Sequence, residues 1–161
     1  MKKLVVISDT HSKSLPEQLI DELKSCDLIV HAGDFCLLED LENLRQYQEI
    51  KAVSGNMDDA DITNELPDTL FFEVEGCNIG LCHGRGSKDQ TIKILQKEFK
   101  SKKLDLLIFG HLHKTYEEKI GNTIYFNPGS PTDKVFASYR SYGVVTISDK
   151  GIDTKIVKLE E

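Results

Sequence analysis

The feature that most constrains this chain is a recurring junction, in which a short apolar run stops at a side chain able to hold a metal. It occurs at Asp9-Thr10-His11, Gly33-Asp34, Gly55-Asn56, His83-Gly84 and Gly110-His111-Leu112-His113, and almost every one follows a strand-like stretch. An open α/β sheet gathers its functional groups at strand ends, so the pattern points to loops that converge on one rim. Carboxylate, imidazole and amide donors together suit a borderline divalent metal such as Mn²⁺, Fe²⁺ or Zn²⁺.

The spacing of apolar residues predicts the elements between these junctions. Lys3 to Ser8, Asp27 to His31 and Ile50 to Ser54 read as strands. Leu15, Leu19, Ile20 and Leu23 (with Pro16 near the start), then Leu38, Leu41 and Leu44, recur at helical spacing between them. That β-α-β-α-β series predicts a sheet that begins parallel, with right-handed crossovers. The second half reads differently. Leu70 to Glu75 and Cys77 to Cys82 form one hairpin, and Thr115 to Ile120 and Thr123 to Phe126 a second about Gly121-Asn122. Tyr142 to Ile147 and Ile152 to Leu159 form a third antiparallel pair. Ile92, Leu95 and Phe99 mark a helix, and Leu104 to Phe109 another buried strand. Two mixed sheets face to face with helices outside accommodate this order in a single domain over residues 1–161.

Composition removes several function classes. No apolar run approaches the roughly 20 residues of a membrane span. The apolar stretch after Met1-Lys2-Lys3 is too short for a signal peptide, so a cytoplasmic protein is expected. Cys26, Cys36, Cys77 and Cys82 lack C-x-x-C spacing and read as small buried hydrophobes, with Cys82 adjacent to His83. A net charge of −7 argues against general nucleic-acid binding, and the basic run Lys97 to Lys103 reads as the solvated end of a helix. An acidic chain still suits a phosphate substrate, because bound dications would invert the local field.

The candidate ligands are Asp9, His11, Asp34, Asn56, His83, His111 and His113. Asp9 and His11 lie two apart, and in extended backbone both reach one side. Asp34 is the candidate bridge, since a carboxylate has two oxygens. Asn56 offers a carbonyl oxygen and also fits a plain turn residue. His111 and His113 repeat the i, i+2 spacing and need not bind the same ion. His31 reads as a packed, hydrogen-bonded strand-end histidine, with orientation of a ligand as the alternative. Asp58 either orders a water or caps the following segment. Arg85 and Lys88 are candidates to hold a phosphate oxygen, against a plain reading as solvated loop charges.

With its motifs in this order, the chain resembles the calcineurin-like metallophosphoesterase superfamily. The Gly55-Asn56-Met57-Asp58 variant and Asn127-Pro128-Gly129-Ser130 are similar to segments of its small YfcE-type phosphodiesterase branch. The resemblance runs from about Leu4 to Ser130. It implies a four-layer α/β/β/α sandwich with two divalent metal ions at its rim. One would be held by Asp9, His11, Asp34 and His113, the other by Asp34, Asn56, His83 and His111. Mn²⁺ is the expected ion, with Fe²⁺, Zn²⁺ or Ni²⁺ as alternatives. Larger relatives carry a histidine after the G-N pair, where this chain has Met57, which cannot transfer a proton to a leaving group.

The expected activity is hydrolysis of phosphodiester bonds in a small phosphoester by a water or hydroxide activated between the two metals, with Asp34, Asn56 and His83 at the chemistry. A phosphomonoesterase or nucleotide hydrolase on the same site is the first alternative. A non-catalytic binding scaffold with this fold, like the retromer scaffold subunit, is the second. Exposed hairpin edges leave a homo-oligomer open.

Overall fold

A computed structural model describes residues 1–160. The alternating first half forms β1 (Lys2–Ile7), α1 (Glu17–Ser25), β2 (Leu28–His31), α2 (Leu38–Arg45), β3 (Ile50–Ala52) and α3 (Ala60–Glu65). Then follow β4 (Thr69–Val74), β5 (Cys77–Cys82), α4 (Lys88–Glu98), β6 (Leu106–Ile108), β7 (Thr115–Ile120), β8 (Thr123–Pro128), β9 (Ser141–Ser148) and β10 (Gly151–Lys158).

Two five-stranded mixed sheets result, ordered β10-β9-β1-β2-β3 and β4-β5-β6-β8-β7. The centre of each is parallel: β1 with β2 and β2 with β3 in the first, β5 with β6 and β6 with β8 in the second. Antiparallel strands flank it: β9 and β10 close one side of the first sheet, and β4 and β7 both edges of the second. Alternation of side chains along β1 explains the layering. Leu4 and Val6 face the second sheet, meeting Ile79, Leu81, Leu106, Ile108 and Phe126. Val5 and Ile7 face the other way, against Leu19 and Leu23 of α1, Leu41 and Leu44 of α2 and Ile62 of α3. On the far side of the second sheet, Leu107 and Phe109 pack on Leu95 and Phe99 at α4. The expected α/β/β/α sandwich is therefore present, and β1, β2, β3, β5 and β6 deliver their C-terminal ends to the ligand loops.

Three details differ from expectation. Helix α3 carries no apolar repeat, because Ile62 is its one buried side chain; the Asp59 carboxylate starts it by accepting Ile62 N–H at 3.2 Å. Strand β3 ends before Ser54, whose N–H turns to the Pro67 carbonyl at 3.0 Å and leaves the ladder. Strand β6 is shorter at both ends than the apolar run from Leu104 to Phe109. No helix among the described residues is long and apolar enough to cross a membrane.

Candidate metal centre

The loops that leave β1, β2, β3, β5 and β6 meet at one point. Asp9 lies just past β1 and is fully buried, and Asp34 just past β2 is nearly so. The Asp9 Oδ1 atom is 3.5 Å from His113 Nε2, 3.7 Å from His83 Nε2 and 3.9 Å from His11 Nε2. Asp34 Oδ2 lies 3.2 Å from His83 Nε2 and 3.6 Å from His11 Nε2. Asn56 places its Oδ1 2.9 Å from His83 Nε2. Two sets of donor atoms, each within 4.8 Å of one another, share Asp9: Asp9 with His11 and His113, and Asp9 with Asp34 and His83. His111 lies at the edge, its ring 5.4 Å from that of His83 and its backbone N–H donating to Asp9 Oδ2 at 3.0 Å.

The convergence contradicts the backbone reason for expecting it. Asp9 and His11 are not extended. Both are left-handed, with φ of 57° and 50°, as are Asp34 (65°), His111 (73°) and His113 (59°). Non-glycine residues adopt this region at a cost of order 1–3 kcal/mol each, and such strain gathers at functional sites. The glycines beside the ligands answer a different need. A Cβ on Gly55 would run into Asp34 N at 2.6 Å, and one on Gly110 would meet Asp9 Oδ2 at 2.9 Å. Small residues let loops from different strands close on the same carboxylates.

Hydrogen bonds fix the orientation of these side chains. His83 Nδ1–H donates to the Ala32 carbonyl at 2.7 Å, and His113 Nδ1–H donates to the Asp133 carboxylate at 2.6 Å. Each ring therefore aims Nε2 into the cluster. Asp9 Oδ2 accepts from Ser8 Oγ at 2.7 Å, and Asp34 Oδ1 accepts from Met57 N–H at 2.8 Å. Asp9 Oδ1 is buried without a hydrogen-bond partner. An orphaned carboxylate oxygen facing imidazole nitrogens costs free energy unless something positive sits between them. The donor set fits a borderline divalent cation, and these residues would hold it.

Electrostatics follow the same geometry. Burial pushes the His83 imidazole down, but its hydrogen bond to Asp34 and the nearby Asp9 charge outweigh this and raise it. The Asp9 carboxylate, with Asp133 on the other nitrogen, pushes His113 up to about 9 against burial. Burial works to raise Asp34 and Asp133, and their histidine partners leave both below the usual carboxylate range. Burial, then the His83 charge, lowers His111.

Residues around the ligands hold the loops. His31 is fully buried and accepts Gly33 N–H at Nδ1 (3.0 Å), so Nε2–H donates to Thr10 Oγ1 at 3.0 Å. It is the packed strand-end histidine expected, and it ties the Asp9 and Asp34 loops together. Asp58 neither holds a helix start nor stands open to solvent chemistry. Its oxygens accept N–H groups of Asp34 (3.0 Å), Gly55 (2.6 Å) and Cys36 (2.7 Å), while the neighbouring Asp59 caps α3. The Asn127–Ser130 segment at the end of β8 does similar work. Asn127 Nδ2 donates to the Gly110 carbonyl at 2.9 Å, and Ser130 Oγ donates to the Asp9 carbonyl at 2.8 Å.

Not every candidate comes to the cluster. Arg85 lines a groove of about 390 Å³ beside Asn56 and His83, where its guanidinium pairs with Glu98 at 3.2 Å. Lys88 is the first residue of α4, and that position turns its ammonium over the Tyr116 ring, 5.6 Å from the centroid. Cys82 is buried among Leu95, Leu107 and Phe109, its thiol pushed up to about 12 by burial. Cys36 is the cysteine nearer the site, with Sγ 3.7 Å from His11 Nδ1. Sequence reasoning missed Asp133, which binds His113 from a distant loop; no local pattern marks it.

Comparison with known proteins adds a family. The model of the calcineurin-like phosphoesterase superfamily domain matches residues 1–150. A protein named probable metallophosphoesterase from Methanocaldococcus jannaschii is 33% identical over 165 residues, covering 97% of this chain and 81% of the relative. A phosphodiesterase of the same organism is 26% identical over 146 residues, covering 79% and 82%. A Thermotoga maritima protein solved by NMR superposes with a TM-score of 0.78 at 30% identity, covering 99% of this chain and all of that one.

Proposed function

Because the chain belongs to the calcineurin-like phosphoesterase superfamily, we propose that it is a metal-dependent phosphodiesterase whose site holds two divalent ions. The observation that carries this reading is the buried, unpartnered Asp9 Oδ1 with three imidazole Nε2 atoms aimed at it. Asp9, His11, Asp34 and His113 would hold one ion, and Asp34, Asn56, His83 and His111 the other, with Asp34 between them. When bound, such a pair supplies a water of lowered pKa and a clamp for phosphoryl oxygens.

The chain's own residues supply position and charge. Asp34 is pinned by Met57 N–H on Oδ1, which leaves Oδ2 turned to His11 and His83. Asn56 contributes a neutral oxygen beside His83 and adds no charge to repel a phosphate. Arg85, on the groove beside them, would reach a phosphoryl oxygen on release from its exposed pair with Glu98, which is worth little. Met57 carries no proton to give, so esters with good leaving groups would turn over fastest.

The complete ligand set speaks for an enzyme rather than a scaffold. A direct test compares bis-p-nitrophenyl phosphate with p-nitrophenyl phosphate on chelated and then Mn²⁺-reconstituted protein. Faster turnover of the diester, dependent on added metal, is expected. Preference for the monoester would replace this reading with a phosphomonoesterase, and diester hydrolysis by the chelated sample would end metal catalysis altogether.

A further inference from the structure

Part of the rim of the site is apolar, where a phosphoesterase has reason to be basic. Of the six large hydrophobic side chains exposed among the described residues, Leu37 and Met57 lie on ligand loops, and Val135 and Phe136 on the loop that carries Asp133. Met57 follows Asn56, and Leu37 follows Cys36. Isolated exposed apolar residues are ordinary on protein surfaces, so four of them on the loops around one site ask for an explanation.

Phe136 is the most telling of the four. Its side chain is 73% exposed, yet its ring centroid sits 6.5 Å from that of His113 in an edge-on arrangement. Its backbone is not left free. Asp133 Oδ1 accepts the N–H of Val135 at 2.8 Å and of Phe136 at 3.1 Å, while Asp133 Oδ2 holds His113. One carboxylate thus sets both a metal-facing imidazole and the turn that presents an aromatic ring to solvent. A turn fixed so that it carries its ring into solvent has lost backbone freedom without the ring gaining burial, which suits a binding surface awaiting a partner. The other end of the cluster contrasts with it: beside Asn56 and His83, the groove is lined by Ser54, Thr63 and Asp68.

We propose that Phe136, backed by Val135, is a stacking platform for a flat aromatic group on the phosphoester, most simply a nucleobase. This rests on the phosphoesterase reading and narrows its substrate class. An aromatic face accepts any base, so the platform selects for a base-bearing ester without choosing among bases. A phosphate held at the cluster brings the attached nucleoside within reach of the ring next to His113. The second arm of a diester would run toward the polar groove.

The test uses the absence of tryptophan from this chain. Phe136→Trp installs a single indole on the platform, and Zn²⁺ loading avoids a paramagnetic ion. Titration with AMP should quench its emission, and ribose 5-phosphate, the same phosphate without a base, should not. In the parent protein AMP should bind roughly ten-fold or more tightly than ribose 5-phosphate, by competition against diester hydrolysis. Phe136→Ala should erase that preference and Phe136→Trp keep it. Equal binding of the two ligands by the parent protein would overturn the platform, as would equal weakening of both in Phe136→Ala. If bis-p-nitrophenyl phosphate is still hydrolysed in that case, only the platform falls. If no phosphoester is hydrolysed at all, the phosphoesterase reading falls with it.

Discussion

The His83 end and the His113 end of the cluster follow one plan with different parts. Each ring gives away its Nδ1–H and points Nε2 inward. At His83 the acceptor is the Ala32 carbonyl and the side chain is only 5% exposed. At His113 the acceptor is the Asp133 carboxylate and the side chain is 20% exposed. A buried ring is held by packing and needs only a neutral partner. A ring open to solvent needs a charge to keep its orientation; the Asp9 carboxylate first, and Asp133 after it, push His113 up to about 9 against burial.

Asp34 Oδ2 faces both His83 and His11 and would lie between the two proposed ions, so its loss should have the largest effect. Asp34→Asn keeps the shape and removes the charge. Turnover should fall roughly a hundred- to thousand-fold, the scale of losing one well-placed electrostatic group. Near-normal diester hydrolysis with full metal content would rule out a bridging Asp34.

Asp58 supports the buried end through three backbone N–H groups. Asp58→Ala leaves them without acceptors and should lower stability by about 3 kcal/mol. Urea unfolding of the metal-free variant measures this, and an unchanged midpoint would show that water replaces the carboxylate without loss. Asp133→Ala separates the two ends. Metal affinity at the His113 end should drop about 10–100-fold while the other end keeps its ion, so a metal titration should become clearly biphasic. Equal weakening of both ions would mean that the two ends are not independent.

The smallest effect concerns acid. Burial, then the charge of His83, holds His31 well below its ordinary 6.5. The unfolded chain therefore takes up this proton first as pH falls. His31 should contribute no slope above about 6.5 and should lower stability progressively below it. His31→Gln should flatten the acid limb of a urea-midpoint profile, and identical limbs would assign the acid sensitivity to other groups.

The ligand loops were legible in the sequence because each is local: an apolar run, a small residue, a donor. The sandwich was legible because the apolar periods change from strand to helix and back. What could not be read depends on distance along the chain. Asp133 meets His113 across 20 positions, and nothing in Pro131-Thr132-Asp133-Lys134 hints at it. The left-handed backbone at Asp9 and His11 goes with contacts far along the chain, since the Gly33 and Asp34 carbonyls accept their N–H groups at 3.0 Å. Helix α3 hides because one buried isoleucine makes no period. Lys88 misleads because α4 starts at that residue and carries the side chain toward Tyr116.

The proposed dinuclear centre is tested most directly by adding Mn²⁺ in measured equivalents to chelated protein and following bound metal and diester hydrolysis on one sample. Activity should stay low through the first equivalent, rise with the second and then level off. Full hydrolysis with one ion bound, or with none, would contradict a centre built from two.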